Sequence, residues 1–107
     1  FVIGCDVDQY DDGDTGTRNI VLTSALKNMA PIVQAQLQKI NDGTFKGENA
    51  LLGAKEGGTG YVSAAGRHQL SEDALAKLAE VYELVKNGTI VPAANFNGHA
   101  PDNFPGL

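Results

Sequence analysis

The stretch Phe1-Val2-Ile3-Gly4-Cys5-Asp6-Val7-Asp8 decides the fold of this 107-residue chain. Its first five residues are an apolar run with β-branched members, which is typical of a buried strand. Two carboxylates, Asp6 and Asp8, follow where that strand is predicted to end. Because ligands of open α/β sheets bind at the carboxyl ends of the strands, this position predicts a functional site.

Two further strands and two helices are predicted downstream. Residues 20–26 form a second strand with Lys27 at its end, and residues 50–52 form a short third strand before a glycine-rich loop. The first helix begins after Asn28 and ends at Asn41-Asp42-Gly43; the second begins after Ser71 and ends at Asn87-Gly88. The order β, β, α, β, α predicts an α/β fold, a sheet with covering helices.

Composition and charge restrict the class of protein. A chain that is 42% hydrophobic and 20% charged is globular, and 107 residues suffice for one modest domain. The net charge is −5 with only eight Lys and Arg, which argues against a nucleic-acid partner. Cys5 is the single cysteine, so no disulfide forms within the chain, and its place in the apolar run predicts a small buried hydrophobe. The sequence holds neither a membrane span nor a signal peptide.

The carboxylates after the first strand are consistent with three chemistries. An Asp-x-Asp pair after an apolar strand is found in phosphatases of the haloacid dehalogenase type, with Asp6 as nucleophile and Asp8 handling a proton beside Mg²⁺, although Tyr10 replaces the usual Thr or Val. A calcium loop of the EF-hand type fails in register, because Tyr10 and Asn19 fall on ligand positions. A carboxylate at a strand end also accepts hydrogen bonds from the vicinal hydroxyls of a sugar. Asp11, Asp12 and Asp14 are expected in a solvated loop.

Other polar residues carry weaker signals. Lys27 follows a strand and precedes a helix, so it either reaches into a cleft or extends over the surface as an ordinary lysine. His68 and His99 lack metal-ligand spacing and are expected at the surface. The loop Gly57-Gly58-Thr59-Gly60 lacks the features of a phosphate-binding loop.

Three blocks of sequence point together to a family: Ile3-Gly4-Cys5-Asp6-Val7-Asp8-Gln9-Tyr10, Val21-Leu22-Thr23-Ser24-Ala25-Leu26-Lys27-Asn28-Met29, and Gly43-Thr44-Phe45-Lys46-Gly47. They resemble the C-terminal third of the basic membrane protein family, the substrate-binding lipoproteins of ABC importers for purine and other nucleosides. The resemblance covers residues 1 to about 92. Cys5 departs from it, since an aliphatic residue is usual there, and the loop over residues 11–18 and the tail after residue 92 are longer than the family pattern.

The resemblance implies a type I periplasmic-binding-protein fold, with two lobes of parallel sheet flanked by helices and a cleft between them. Residues 1–91 would supply parts of both lobes, and residues 92–107 would be a C-terminal extension. Asp6 matches the family's ribose-binding aspartate and Lys27 its cleft lysine, while Asp8 would support either. The residues that recognise the base would lie outside this chain.

The function implied by the resemblance is non-enzymatic binding of a nucleoside, in the first place a purine nucleoside, without a cofactor. The expected partners are the nucleoside, a membrane-embedded ABC permease and a preceding N-terminal part of the same protein, which would be exported and lipid-anchored at the cell surface or in the periplasm. Since the chain opens inside a predicted strand and without Met, we expect a C-terminal piece of a longer protein that self-associates when alone. The alternatives are the Mg²⁺-dependent phosphatase and a ligand-sensing domain of a signalling protein.

Overall fold

The structure is a computed structural model that describes residues 1–92; residues 93–107, and with them His99 and nearly all of the predicted extension, lie outside the described part. It is a small α/β arrangement with a three-stranded mixed sheet and two helices, which agrees with the predicted α/β class and goes no further than that class. The elements are three strands and two α-helices: β1 (Val2–Asp6), β2 (Val21–Lys27), α1 (Met29–Asn41), β3 (Thr59–Tyr61) and α2 (Glu72–Lys86).

The three strands form one mixed sheet in the order β1-β2-β3. β1 and β2 run parallel, with Asp6 opposite Leu26, so both strands end at the same edge. β3 runs antiparallel to β2, with Thr59 opposite Lys27. The expected parallel pairing therefore holds for the first two strands, and the third makes the sheet mixed.

The prediction of a third strand over residues 50–52 was wrong. Those residues are not in a strand, and Leu51 is 93% exposed. The free edge of β2 is taken instead by β3, whose Tyr61 ring meets the Tyr82 ring of α2 edge-on at 5.9 Å between centroids. The pairing continues one residue further, where the Val62 N–H donates to the Ser24 carbonyl (2.9 Å). An apolar run alone does not determine which segment reaches an open strand edge.

The prediction that β1 is buried was also wrong. Val2 and Ile3 are 50% and 66% exposed, Cys5 is exposed as well, and Gly4 alone is buried in this strand. β1 lies at the edge of the sheet, and neither described helix packs extensively on it. Its apolar side chains therefore lack cover among residues 1–92.

The small core lies around β2. Its buried members are three apolar residues and two hydroxyl residues: Val21, Ala54, Val62, Thr23 and Ser24. Both buried hydroxyls are hydrogen-bonded, as burial requires: Thr23 Oγ1 donates to the Val62 carbonyl (2.8 Å), and Ser24 Oγ accepts from the Gln9 N–H (3.1 Å).

Both helices lie where local signals place them. Ser71 Oγ accepts from the Ala74 N–H (3.2 Å) and caps α2, which ends at Lys86, with Asn87 as its C-cap before Gly88 in the left-handed conformation. Asn28 occupies the N-cap position of α1 without capping it through its side chain. The apolar residues spaced four and three positions apart on α1, Val33, Leu37 and Ile40, are each more than half exposed. Within residues 1–92, neither helix has the combination of length and apolar character that a bilayer crossing requires.

Candidate functional site

Asp6 and Lys27 meet at the carboxyl edge shared by β1 and β2. The two residues close neighbouring parallel strands, and their side chains form an ion pair with 3.3 Å between Lys27 Nζ and Asp6 Oδ1. The Lys27 side chain is 55% and the Asp6 side chain 60% exposed. A pair this exposed is worth at most about 1 kcal/mol to the fold. Both groups are therefore accessible to a ligand and are held to each other only weakly.

Asp6 adopts a backbone conformation that residues other than glycine rarely occupy. Its φ is 72°, the one positive value among the non-glycine residues of the described part. The Val7 N–H donates to the Cys5 carbonyl (2.9 Å), which closes a γ-turn of the rare positive-φ type centred on Asp6. A residue held in such a sparsely populated conformation costs about 1–3 kcal/mol. This cost exceeds what the exposed ion pair with Lys27 returns, so other contacts must impose the turn.

Asp8 does not join the Asp6–Lys27 pair but faces Arg67. Asp8 Oδ2 accepts from Arg67 Nε (2.8 Å), and Asp8 Oδ1 accepts from the Tyr10 N–H (3.0 Å). The hydrogen bond from Arg67 first, and that from Tyr10 second, hold the pKa of Asp8 below its ordinary value. The structure thus gives Asp8 a partner on the loop after β1, and Asp6 and Lys27 alone of the three predicted site residues form a direct pair.

Arg67 holds that loop through three contacts. Besides Asp8 it donates from Nη1 to Asp11 Oδ1 (2.7 Å), and its guanidinium lies 5.3 Å from the centre of the Tyr10 ring. The hydrogen bonds to Asp11 and Asp8 raise the pKa of Arg67. We call Arg67, Asp8, Tyr10 and Asp11 the arginine clamp. Asp11 is 80% exposed, as expected for a loop, yet it is ion-paired rather than merely solvated.

The arginine clamp was not predicted from the sequence. Arg67 lies 59 residues from Asp8 along the chain, and no spacing rule links them. The one signal in the sequence was the density of carboxylates over residues 6–14, which calls for a cation from elsewhere.

Gln9 also ties the loop after β1 to the sheet. Its Oε1 accepts from the Cys5 N–H (2.7 Å), and its own N–H donates to the fully buried Ser24 Oγ (3.1 Å). Gly4 makes room for this arrangement, because a Cβ there would overlap Ser24 Oγ. The loop after β1 is therefore tied to the middle of β2.

The end of β2 is fixed by the glycine-rich loop. The Asn28 N–H donates to the Gly58 carbonyl, and Asn28 Nδ2 donates to the Gly57 carbonyl, both at 2.9 Å. Gly58 has no space for a side chain, because a Cβ would overlap the Leu52 carbonyl oxygen. These contacts fix the position of Asn28, and thereby the backbone position of Lys27 at the end of β2.

An open cavity of about 260 Å³ lies beside this end of β2, lined by residues that include Leu26, Asn28, Gly60, Tyr61 and Tyr82. Sites that enclose small molecules usually measure about 300–1,000 Å³. The described residues therefore form an open depression rather than an enclosed pocket, and neither Asp6 nor Lys27 is among the residues that line it.

The remaining predicted polar residues stand apart from this edge. His68 Nδ1 accepts from the Leu70 N–H (3.2 Å), a local contact. In the described part of the chain, no three His, Cys, Asp or Glu side chains are grouped so that they would hold a metal ion.

No family model matches the chain, and no curated protein is significantly similar to it.

Proposed function

We propose that the chain is part of a solute receptor that binds the ribose of a nucleoside at the Asp6–Lys27 pair. The observation that supports this function most directly is the position of the pair: a carboxylate and an ammonium, both exposed, at the common carboxyl edge of two parallel strands. The resemblance of the sequence blocks around both residues to nucleoside receptors points the same way.

The chemistry of the pair suits a diol. An ionised carboxylate accepts a hydrogen bond on each oxygen, and the two vicinal hydroxyls of ribose present donors at matching separation. Lys27 would donate to a ribose oxygen and balance the charge of Asp6. Closure of a second lobe over the pair would remove water from it, so that a ligand lacking the hydroxyls leaves a buried charge unpaired.

The same proposal places the chain in a larger protein. Residues 1–91 would contribute to both lobes of a type I periplasmic-binding-protein fold, delivering the nucleoside to an ABC permease from an exported, lipid-anchored receptor. The open cavity beside β2 and the uncovered faces of β1 and α1 agree with a chain that is completed by further segments.

Calorimetric titration of the full-length protein with a purine ribonucleoside tests the function. We expect binding to the wild-type protein and, in Asp6→Asn, an affinity lowered by at least about tenfold, because a hydrogen bond to a charged group contributes about 1.5–3 kcal/mol. Asn tolerates the positive φ of residue 6, so this variant removes the charge and keeps the backbone. The matched control is Asp12→Asn, because the Asp12 carboxylate makes no hydrogen bond within residues 1–92.

A deoxyribonucleoside supplies the second arm. It should bind more weakly than the ribonucleoside to the wild-type protein, and the gap in affinity between the two nucleosides should narrow in Asp6→Asn, because one hydroxyl contact of Asp6 is already missing. An unchanged affinity in Asp6→Asn would contradict the proposal. A Mg²⁺-dependent release of phosphate from an aryl phosphate that is lost in Asp6→Asn would also contradict the proposal. That result would identify Asp6 as the nucleophile of a phosphatase.

A further inference from the structure

Arg67 connects a distant segment to the loop that leaves the candidate site. We propose that Arg67 is a positioning residue that holds the Asp6 carboxylate in its binding orientation through the arginine clamp. This role rests on the proposed function of Asp6, and the experiment below separates the two.

The backbone between the clamp and the site is short. Asp8 is two residues beyond Asp6, and the γ-turn at Asp6 directs the chain from the strand into the clamped loop. Asp8 is bound to Arg67 Nε at 2.8 Å and to the Tyr10 N–H at 3.0 Å, which ties this loop to a residue far along the chain.

The Asp6 side chain does not hold the turn by itself. Its contacts in the described part are the exposed Lys27 ammonium at 3.3 Å and a long contact from Cys5 Sγ at 3.8 Å. The strain of the left-handed conformation must therefore be balanced by contacts of neighbouring residues. In the loop that follows Asp6, Gln9 supplies one such contact through Ser24, and Arg67 supplies the other from outside the sheet.

Arginine suits this role better than lysine. Its planar guanidinium donates from Nε and Nη1 in fixed directions, which match Asp8 and Asp11, while its face covers the Tyr10 ring. A lysine ammonium would retain the charge but would not hold both carboxylates and the ring in one geometry.

The test compares Arg67→Met and Arg67→Lys with Arg18→Met in the full-length protein. Arg18 is exposed and its side chain makes no hydrogen bond or ion pair within the described residues, so it controls for loss of a surface charge. Two measurements are made: the Kd for a purine ribonucleoside, and the NMR coupling between the Asp6 amide and α protons, which reports φ without a ligand.

In Arg67→Met we expect the Asp6 coupling to move toward the value of extended backbone and the Kd to rise about tenfold, since the apparent affinity falls with the fraction of molecules in the competent conformation. Arg67→Lys should fold like the wild type and give an intermediate change, and Arg18→Met should change neither quantity. A lower melting temperature with an unchanged Asp6 coupling and Kd would overturn the inference, because Arg67 would then be merely structural.

The two proposals fail differently. If the wild-type protein binds no nucleoside, the proposed function falls, and the Asp6 coupling alone decides the role of Arg67: a changed coupling in Arg67→Met supports it, and an unchanged coupling overturns it.

Discussion

The Asp6 carboxylate lies 3.3 Å from the Lys27 ammonium although 20 residues separate them along the chain. The register alone does not produce this contact, because Asp6 lies opposite Leu26 and the side chain of the next residue, Lys27, alternates to the other face of a regular strand. The positive φ of Asp6 takes this residue out of regular strand geometry at the end of β1. The candidate site therefore depends on the backbone turn at Asp6 as much as on the identity of its two residues.

The φ of 72° at Asp6 predicts an unusual order of stability among its variants. Asp6→Gly should be more stable than Asp6→Ala by about 1 kcal/mol, because glycine occupies the left-handed region freely and alanine does not. Urea denaturation of both variants measures this difference.

Cys5 provides the control for that comparison. It precedes Asp6 in β1 and its φ is not positive, so Cys5→Ala should be more stable than Cys5→Gly by about 0.4–1 kcal/mol. The same order at both positions would show that residue 6 does not hold the left-handed conformation in solution.

The exposure of the Asp6–Lys27 pair predicts a small contribution to stability. A double-mutant cycle of Asp6→Asn and Lys27→Gln should give a coupling of at most about 1 kcal/mol at low salt, falling further at about 1 M NaCl as the Debye length shrinks to about 3 Å. Chemical denaturation of the four proteins gives the coupling. A large, salt-independent value would mean that the pair is buried in solution.

The sequence predicts those parts of the fold that local chemistry determines. Ser71 before α2 and Asn87-Gly88 after it are short-range signals, and the structure confirms both helix ends. The meeting of Asp6 and Lys27 also follows from two adjacent strand ends. The pairing of β3 with β2 and the binding of Asp8 by Arg67 are contacts between residues that lie tens of positions apart. No spacing rule in a single sequence predicts such contacts. Whether Ile3 is exposed depends on which other segments cover the sheet, and the residues of β1 do not determine which segments do so.

The lowered pKa of Asp8 predicts acid sensitivity. Because Arg67 and Tyr10 make the folded-state pKa lower than the unfolded-state value, the Asp8 carboxylate stabilises the fold above its ordinary pKa. That stabilisation should decline as the pH falls below about 4, where the unfolded chain begins to take up the proton first.

Melting temperatures of the wild-type protein and Asp8→Asn from about pH 7 to about pH 3 test this linkage. The difference between them should be largest near neutral pH and shrink on acidification, whereas Asp12→Asn should not follow that course. A constant difference over the whole range would show that the Asp8 carboxylate has no special interaction with Arg67 in solution.

The close contact of Gly4 with β2 predicts that even one methyl group is too large at this position. In Gly4→Ala the Cβ would overlap Ser24 Oγ and lie 3.0 Å from Gln9 Oε1, so the variant should lose about 1–3 kcal/mol, as is usual for overpacking. Gly47→Ala is the matched control, because nothing lies within 4 Å of a Cβ there. Combining Gly4→Ala with Ser24→Ala removes the overlapping hydroxyl, and the double variant should be less destabilised than the sum of the single changes. Denaturant midpoints of the variants measure these differences in stability. Equal midpoints for Gly4→Ala and Gly47→Ala would contradict the prediction. They would mean that β1 does not approach Ser24 in solution as closely as the placement of Asp6 requires.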